Sequence, residues 1–435
     1  SGLRASLSRR RSWVRIPSGP PSADWYTRPE CLLGSSCLSR GSVEGFFSRL
    51  RFCRQSPGPR NPRLRIRKIL FGVKLENPNK ECYIRSMKGY HAGTYEQHYW
   101  KKEYAYESFV PSKLDREIPL TDKRIPVMLE GATAALGELN ERIKRVPNVQ
   151  SFIRMSIRGE AVSSSAIEGT RTGIEELMLP EDAVRPERRG DWREVQNYVD
   201  ALTWGTRSLG RLPVSTRLIC GLHKRLLAGV RGEEKQPGEV RTSQNWIGGA
   251  SLRTAHFIPP HHKRIPELLS DWEAYWHNRS LTVPQLVRVA VGHYQFETIH
   301  PFLDGNGRVG RLLIALQLME CGMLGEPVLY LSGYFERNRR AYYDALDRVR
   351  GRNDIEEWIR FFFEAVHAAA RRGKETATRA ENLVIAHRES IAGLGRRRET
   401  AVRLLDALYA DPVTTVAEAA KRLDVHYDTA NELIR

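Results

Sequence analysis

The twelve residues His300-Pro-Phe-Leu-Asp304-Gly-Asn-Gly-Arg308-Val-Gly-Arg311 hold a base, an acid, a glycine-rich turn and two arginines. Apolar periodicity follows in Leu312, Leu313, Ala315, Leu316 and Leu318, so the turn opens a helix. A helix start presents unpaired backbone N–H groups and the positive end of a dipole. Glycines let that backbone approach an anion. Asp304 can hold a divalent cation together with phosphate oxygens. Arg308 and Arg311, one turn apart on one face, can grip phosphates as planar forks. His300 is the group of the stretch that takes a proton near neutral pH. The array describes a nucleoside-triphosphate site with a base beside it.

The elements that must carry this site are helical. Apolar residues recur at helical spacing over Val127–Ile143, Phe152–Ile167, Val195–Leu209, Leu218–Leu227, Ile265–Trp276 and Leu286–Ile299. The signature helix is expected to end near Cys321, with Gly322 as its cap. Asn338–Val349 and Ile355–Ala370 continue the pattern, and Thr378–Glu389 reads as a helical connection. Two stretches break it. Tyr104–Arg124 is polar and proline-punctuated, read as a docking segment rather than a helix. Asn245–Gly249 and Thr254–Pro260 read as two short extended arms around a glycine-rich turn. Trp192, Trp204, Trp272 and Trp276 are assigned to the core. The expectation is an all-α bundle with one inserted β-hairpin.

The pattern His-Pro-Phe-x-Asp-Gly-Asn-Gly-Arg-x-x-Arg resembles the signature of the Fic family, with every fixed position met. The resemblance covers roughly Gly89 to Leu383. It implies the Fic-type helical bundle and transfer of AMP from ATP to a Ser, Thr or Tyr hydroxyl of a target protein. By position, His300 becomes the general base and Asp304 the Mg²⁺ ligand. Gly305, Asn306 and Gly307 become the phosphate cradle. Arg308 and Arg311, with Val309 and Gly310 between them, hold the distal phosphates. Pro301 and Phe302 anchor the loop to the core.

Ser164-Ser-Ala-Ile-Glu168-Gly169 is similar to the inhibitory motif of Fic proteins, Ser/Thr-x-x-x-Glu-Gly/Asn, and lies N-terminal to the core. Ser164 and Glu168 share a helix face. A carboxylate aimed at Arg311 would withdraw that arginine from the γ-phosphate and repel the phosphate. The segment Thr254, Ala255, His256 and Phe257 resembles the flap over the site, whose strand edge could accept a target segment. Tyr342 and Tyr343 resemble the paired tyrosines beside the adenine, with Asn338 one turn earlier. His261 and His262 lack a matching Cys or carboxylate array for zinc. The rival activities are removal of AMP by the same residues, transfer of another nucleotide, and a DNA-binding regulator with the Fic core as sensor.

Charge is unevenly spread. Residues 1–86 hold 18 Lys+Arg against 5 Asp+Glu, so they carry +13 of the chain's +18. Four of the 6 cysteines, Cys31, Cys37, Cys53 and Cys82, also fall there. This segment lacks useful periodicity and is rich in Arg, Ser, Pro and Gly, which suits disorder. Met87 is the first methionine, and the expectation is that residues 1–86 are translated upstream sequence or a mis-called start, with an Arg/Ser-rich targeting peptide and a nucleic-acid-binding arm as the alternatives. The remaining cysteines, Cys220 and Cys321, imply no disulfide framework, and the body reads as cytosolic. No run approaches the roughly 18 apolar residues of a membrane span. The expected division is 1–86 as a disordered extension, 87–190 with the inhibitory helix, 191–375 as the catalytic core, and 376–435 as a linker and helix-turn-helix-like domain. Arg396–Tyr409, Val416–Leu423 and Tyr427–Ile434 supply its three helices, which makes DNA a candidate partner. Self-modification and a homodimer are further expectations.

Overall fold

The computed structural model describes residues 13–15, 89–99, 102, 105–410 and 412–435. In chain order the strands and first helices are β1 (Trp13–Arg15), β2 (Gly93–His98), β3 (Tyr106–Pro111), α1 (Arg124–Ile143), α2 (Val149–Ile167) and α3 (Ile174–Leu177). Then come α4 (Arg189–Ser208), α5 (Thr216–Leu226), α6 (Ile265–His277), α7 (Gln285–Ile299) and α8 (Asn306–Glu320). The chain continues through α9 (Ser332–Arg337), α10 (Arg339–Arg352), α11 (Ile355–Ala392), α12 (Arg398–Ala410), β4 (Val413–Thr415), α13 (Val416–Leu423) and α14 (Tyr427–Ile434).

α7 and α8 form the centre of the bundle. Every residue of α7 from Leu286 to Ile299 is buried, and α8 is buried from Arg308 to Leu318. A helix covered on all sides need not be amphipathic. Two indoles pin α7 in place: Trp272 Nε1 donates to Gly292 O at 2.8 Å and Trp358 Nε1 to Ala290 O at 2.7 Å. Trp272 and Trp276 are buried, as expected of core residues, while Trp192 and Trp204 are partly buried against the core. α1 lies along α11, and α4 packs on α2 and α5. The all-α expectation stands, and the helix boundaries match closely. The differences are local. Ile355–Ala370 and Thr378–Glu389 belong to one helix, because no Gly or Pro at a strained φ interrupts 355–392.

The regular hairpin is β2–β3, antiparallel with Gly93 opposite Pro111. Part of the segment 104–124 is thus a strand, inward on the face of Phe109. The arms expected at 245–249 and 254–260 turn back on each other through a single bridge, Ile247 to Phe257. β3 supports them, since Phe109 N donates to Ile258 O at 2.9 Å.

The C-terminal helices build a small core of their own from Leu404, Leu408, Val416, Ala419, Ala420, Leu423 and Ala430. A reciprocal capping box of Thr415 and Glu418 starts α13. β4 pairs antiparallel with β1, Trp13 opposite Thr415. The rest of the expectation for residues 1–86 lies outside the described residues. No described helix is long and apolar enough to cross a membrane.

Candidate active site

The loop between α7 and α8 carries the site. α7 ends at His300, whose backbone is left-handed at φ 50°. That conformation is uncommon for a residue with a side chain. Gly305, at φ 76°, caps the start of α8. The intervening loop is held through the main chain of Phe302. Asn306 accepts from Phe302 N at 2.8 Å and donates to Phe302 O at 2.9 Å. Asn245 donates to the same carbonyl at 2.8 Å. The Phe302 ring stacks on His223 at 3.8 Å between centroids. Asn306 therefore offers the cradle its backbone, while its side chain shapes the loop.

His223 Nδ1 accepts from Gly238 N at 2.8 Å, so its proton sits on Nε2, which donates to Asp304 O at 3.0 Å. Burial holds this imidazole down to about 4. The Asp304 carboxylate accepts from Gly305 N at 2.6 Å and is 42% exposed.

His300 Nδ1 lies 3.3 Å from Glu297 O. A carbonyl only accepts, so Nδ1 carries the proton and Nε2 keeps its lone pair. Burial, with the Arg241 charge behind it, lowers this group to about 4. The imidazole is neutral at pH 7, the form that accepts a proton. Its main chain is fixed by Arg241. That buried guanidinium donates to His300 O at 2.9 Å, Ser243 O at 3.0 Å and Pro260 O at 2.6 Å. Its own N–H donates to Pro301 O at 2.9 Å. The expected anchoring by Pro301 and Phe302 is thus carried by their backbones and by the Phe302 ring.

Both signature arginines are buried and both are held by carboxylates from upstream helices. Arg308 Nη1 lies 3.1 Å from Glu194 Oε2 on α4. Arg311 donates through Nε to Ser164 Oγ at 2.8 Å, and through Nη2 to Ser164 O at 3.0 Å and Glu168 Oε1 at 2.6 Å. Burial pushes the Glu168 carboxyl up, but the charge and hydrogen bond of Arg311 outweigh it, so Glu168 sits below its ordinary value. Glu168 also covers the cradle: a Cβ at Gly307 would overlap its Oε1. Gly169, at φ 99°, turns the chain away directly after. α2 is seated by Glu160, whose carboxylate accepts from Ser332 N at 3.0 Å. It is seated too by Gly159, where any Cβ would overlap the Tyr330 hydroxyl.

Glu297 is a second buried acid beside Arg311. Burial raises it to about 7, and its Oε1 has no hydrogen-bond partner. A Cβ at Gly310 would overlap that oxygen.

The flap residues divide. Thr254 is exposed and closes the turn by accepting from Ala250 N at 3.1 Å and Ser251 N at 3.2 Å. Ala255 lies between it and His256, which reaches Asp347 Oδ2 at 2.7 Å. Phe257 is buried under Arg350, whose guanidinium carbon is 4.1 Å from the ring centroid. The two tyrosines also divide. Tyr342 is buried and donates to His293 Nε2 at 2.9 Å, while His293 Nδ1 donates to Gly310 O at 3.1 Å. It thus props α8. Tyr343 is 39% exposed. Asn338 donates to Tyr334 O at 3.0 Å between α9 and α10.

Sequence reasoning overlooked Glu194, Arg241, His223 and Glu297. Glu297 stands one turn before His300 and carried a signal in its proximity. The others are distant in sequence, with no pattern around them.

The arrangement is a glycine-rich start of a buried helix, with a neutral imidazole at one end and two arginines paired with carboxylates. Comparisons match it to a family. The Fic/DOC family N-terminal model matches residues 127–207 and the Fic/DOC family model matches 213–318. Residues 127–207 and 213–318 thus carry the two regions that define the Fic/DOC family. Protein adenylyltransferase Fic of Drosophila virilis is 29% identical over 251 residues, which cover 57% of this chain and 46% of that protein. The Aedes aegypti protein of the same name is 32% identical over 149 residues, 34% of this chain and 27% of that one. The chain thus spans less than half the length of these relatives. A Fic family protein from Desulfovibrio desulfuricans G20 shares the fold, with a TM-score of 0.50 at 19% identity over 73% of this chain and 89% of its own.

Proposed function

We propose that this chain is a protein adenylyltransferase held in check by Glu168. ATP is the substrate, and a Ser, Thr or Tyr hydroxyl of a target protein is the acceptor. The observation that carries the reading is the neutral His300, whose free Nε2 stands beside the helix-start cradle. The hydroxyl oxygen bonds to the α-phosphorus while its proton passes to Nε2. The bond to the β-phosphate's bridging oxygen breaks, and pyrophosphate leaves. Backbone N–H groups of Gly305–Gly307 and the forks of Arg308 and Arg311 stabilise the charge.

Asp304 fits a Mg²⁺ ion: its carboxylate is part-exposed at the cradle's edge. Mg²⁺ commonly takes one or two carboxylates and completes its shell with phosphate oxygens and water. When bound it would neutralise phosphate charge. Tyr343, rather than Tyr342, has a face open to the adenine. Thr254 and His256 are the flap residues open to a target. In the resting chain Glu168 occupies Arg311 and the space over Gly307, so the γ-phosphate is refused its seat.

The neighbourhood of Glu168 and His300 favours a second reading, since the carboxylate acts electrostatically on the imidazole. The same pair could position a water for removal of AMP. The division at 87–190, 191–375 and 376–435, a cytosolic location, DNA binding by α13–α14, self-modification and a homodimer belong to this proposal too. Incubation of wild type and Glu168→Gly with labelled ATP and a cell lysate is the direct test. Label on protein, greater with the variant, supports transfer. No label with either excludes it.

A further inference from the structure

We infer that Arg231 is a nucleotide-contacting residue, which holds the distal phosphates and the departing pyrophosphate on the Asp304 side of the cradle. The inference rests on the nucleotide-transfer reading above.

Arg231 belongs to the loop that follows α5, outside the signature. Its Nε lies 3.3 Å from Glu194 Oε1 and its Nη2 lies 3.4 Å from Glu194 Oε2. The second oxygen also takes Arg308 Nη1 at 3.1 Å. Two guanidinium groups therefore meet on one carboxylate. Glu194 is nearly inaccessible, its side chain 3% exposed, whereas that of Arg231 is 65% exposed. Glu194 and Asp304 balance the two cations, and the Arg231 fork keeps most of its surface in solvent, where a further acceptor can reach it.

The next residue fixes where that charge stands. Gly232 has φ 95°, and a Cβ built on it would come 3.0 Å from Asp304 Oδ2. The loop thus lies against the acid at the cradle's edge, with Arg231 directly before it in the chain. Arg308 gives a second, independent sign. Its side chain is 3% exposed, its Nε is buried without a hydrogen-bond partner, and its Nη2 reaches Asp304 only at 3.9 Å. Buried guanidinium donors demand an acceptor. A phosphate between Arg308 and Arg231 satisfies the buried fork from below and the exposed one from the mouth. Paired arginines on one anion are a recurring way to bind phosphate.

The chemistry gives this position a task. As the hydroxyl oxygen bonds to the α-phosphorus, the electron pair of the breaking bond passes to the β-phosphate. The negative charge of the leaving pyrophosphate grows on the side away from His300. Arg311 meets it once Glu168 is displaced, and Arg231 meets it without displacement, since its fork keeps most of its surface in solvent.

The test uses the full chain carrying Glu168→Gly, so that the latch is open, with ATP, AMP and inorganic pyrophosphate as probes in calorimetry with Mg²⁺. Adding Arg231→Gln is expected to weaken ATP and pyrophosphate about tenfold while AMP stays within about twofold. Arg231→Lys is expected to recover part of the loss. Equal weakening of ATP and AMP would show that Arg231 merely supports Glu194, and overturns the inference. So does unchanged ATP affinity. If the Glu168→Gly parent itself binds neither ATP nor pyrophosphate, the nucleotide reading falls first and takes this one with it.

Discussion

Glu168 Oε1 lies 2.6 Å from Arg311 Nη2, and the same oxygen fills the space above Gly307. One carboxylate thus occupies the second arginine and covers the cradle in a single pose. Its pair with a buried arginine is a charge-assisted contact, in the range of about 1.5–3 kcal/mol. Glu168→Gly is expected to raise labelled-AMP transfer by roughly tenfold to a hundredfold. Arg311→Ala should erase that gain, so the two changes should be strongly non-additive. Transfer rates of both single variants and the double variant decide it. If Glu168→Gly is no faster than wild type, the latch is absent. If it is slower at removing AMP from a modified protein, the hydrolytic reading gains.

The latch can also be tested away from the site. Tyr330 covers Gly159 so closely that any Cβ there must displace α2 or the ring. Gly159→Ala is expected to cost about 1–3 kcal/mol of stability through overpacking. By shifting α2 it should also raise transfer above wild type. Thermal melts read the first effect and labelled ATP the second. A destabilised chain with unchanged transfer would separate helix packing from inhibition.

The base should work over an unusual pH range. Burial holds His300 at about 4, against an ordinary value of 6.5. With Glu168→Gly as the active form, the acid limb of kcat/KM is expected well below pH 6. An acid limb with a midpoint near 6.5 would show that another group limits the reaction. His300→Ala should remove transfer by about 10²–10⁴-fold and leave ATP affinity nearly intact.

Glu297 links the core to pH. Its folded value is raised to about 7 from 4.5, by burial first. The folded state therefore binds this proton more tightly than the unfolded chain. Its contribution to stability is fully present below about 4.5 and is lost as pH rises through about 7. Glu297→Gln lacks this titration. The stability difference, variant minus wild type, should shift in the variant's favour by up to roughly 3 kcal/mol between pH 4 and 8. Urea melts at the two pH values measure it, and a constant difference would show that folding leaves the Glu297 titration unchanged.

Much of this was legible in the sequence where partners are local. His300 through Arg311 form one continuous loop and helix start, and Ser164 and Glu168 share one turn of α2. The helices were legible too, because apolar periodicity survives in most of them. Glu194, Arg231 and Arg241 were not legible. Each is a charged residue in a stretch that reads as solvated, and each gains its role only when α4, the loop after α5 and the flap meet the signature loop. Tyr342 shows the converse. Beside Tyr343 it resembles half of an adenine platform, yet its hydroxyl is spent on His293. The β2–β3 hairpin escaped notice because its polar outer face masks Phe109 and Val110.

Arg241 ties Ser243 and Pro260 at the root of the flap to the main chain of His300. On the proposed reading, a target segment that leans on the flap would pull, through one guanidinium, on the backbone that aims the base. Fit and reactivity would then share a mechanical connection. A target that seats well would leave His300 where it is, while one that twists the flap would turn the imidazole off line. Discrimination among targets in this molecule should then appear as lost turnover more than as lost binding.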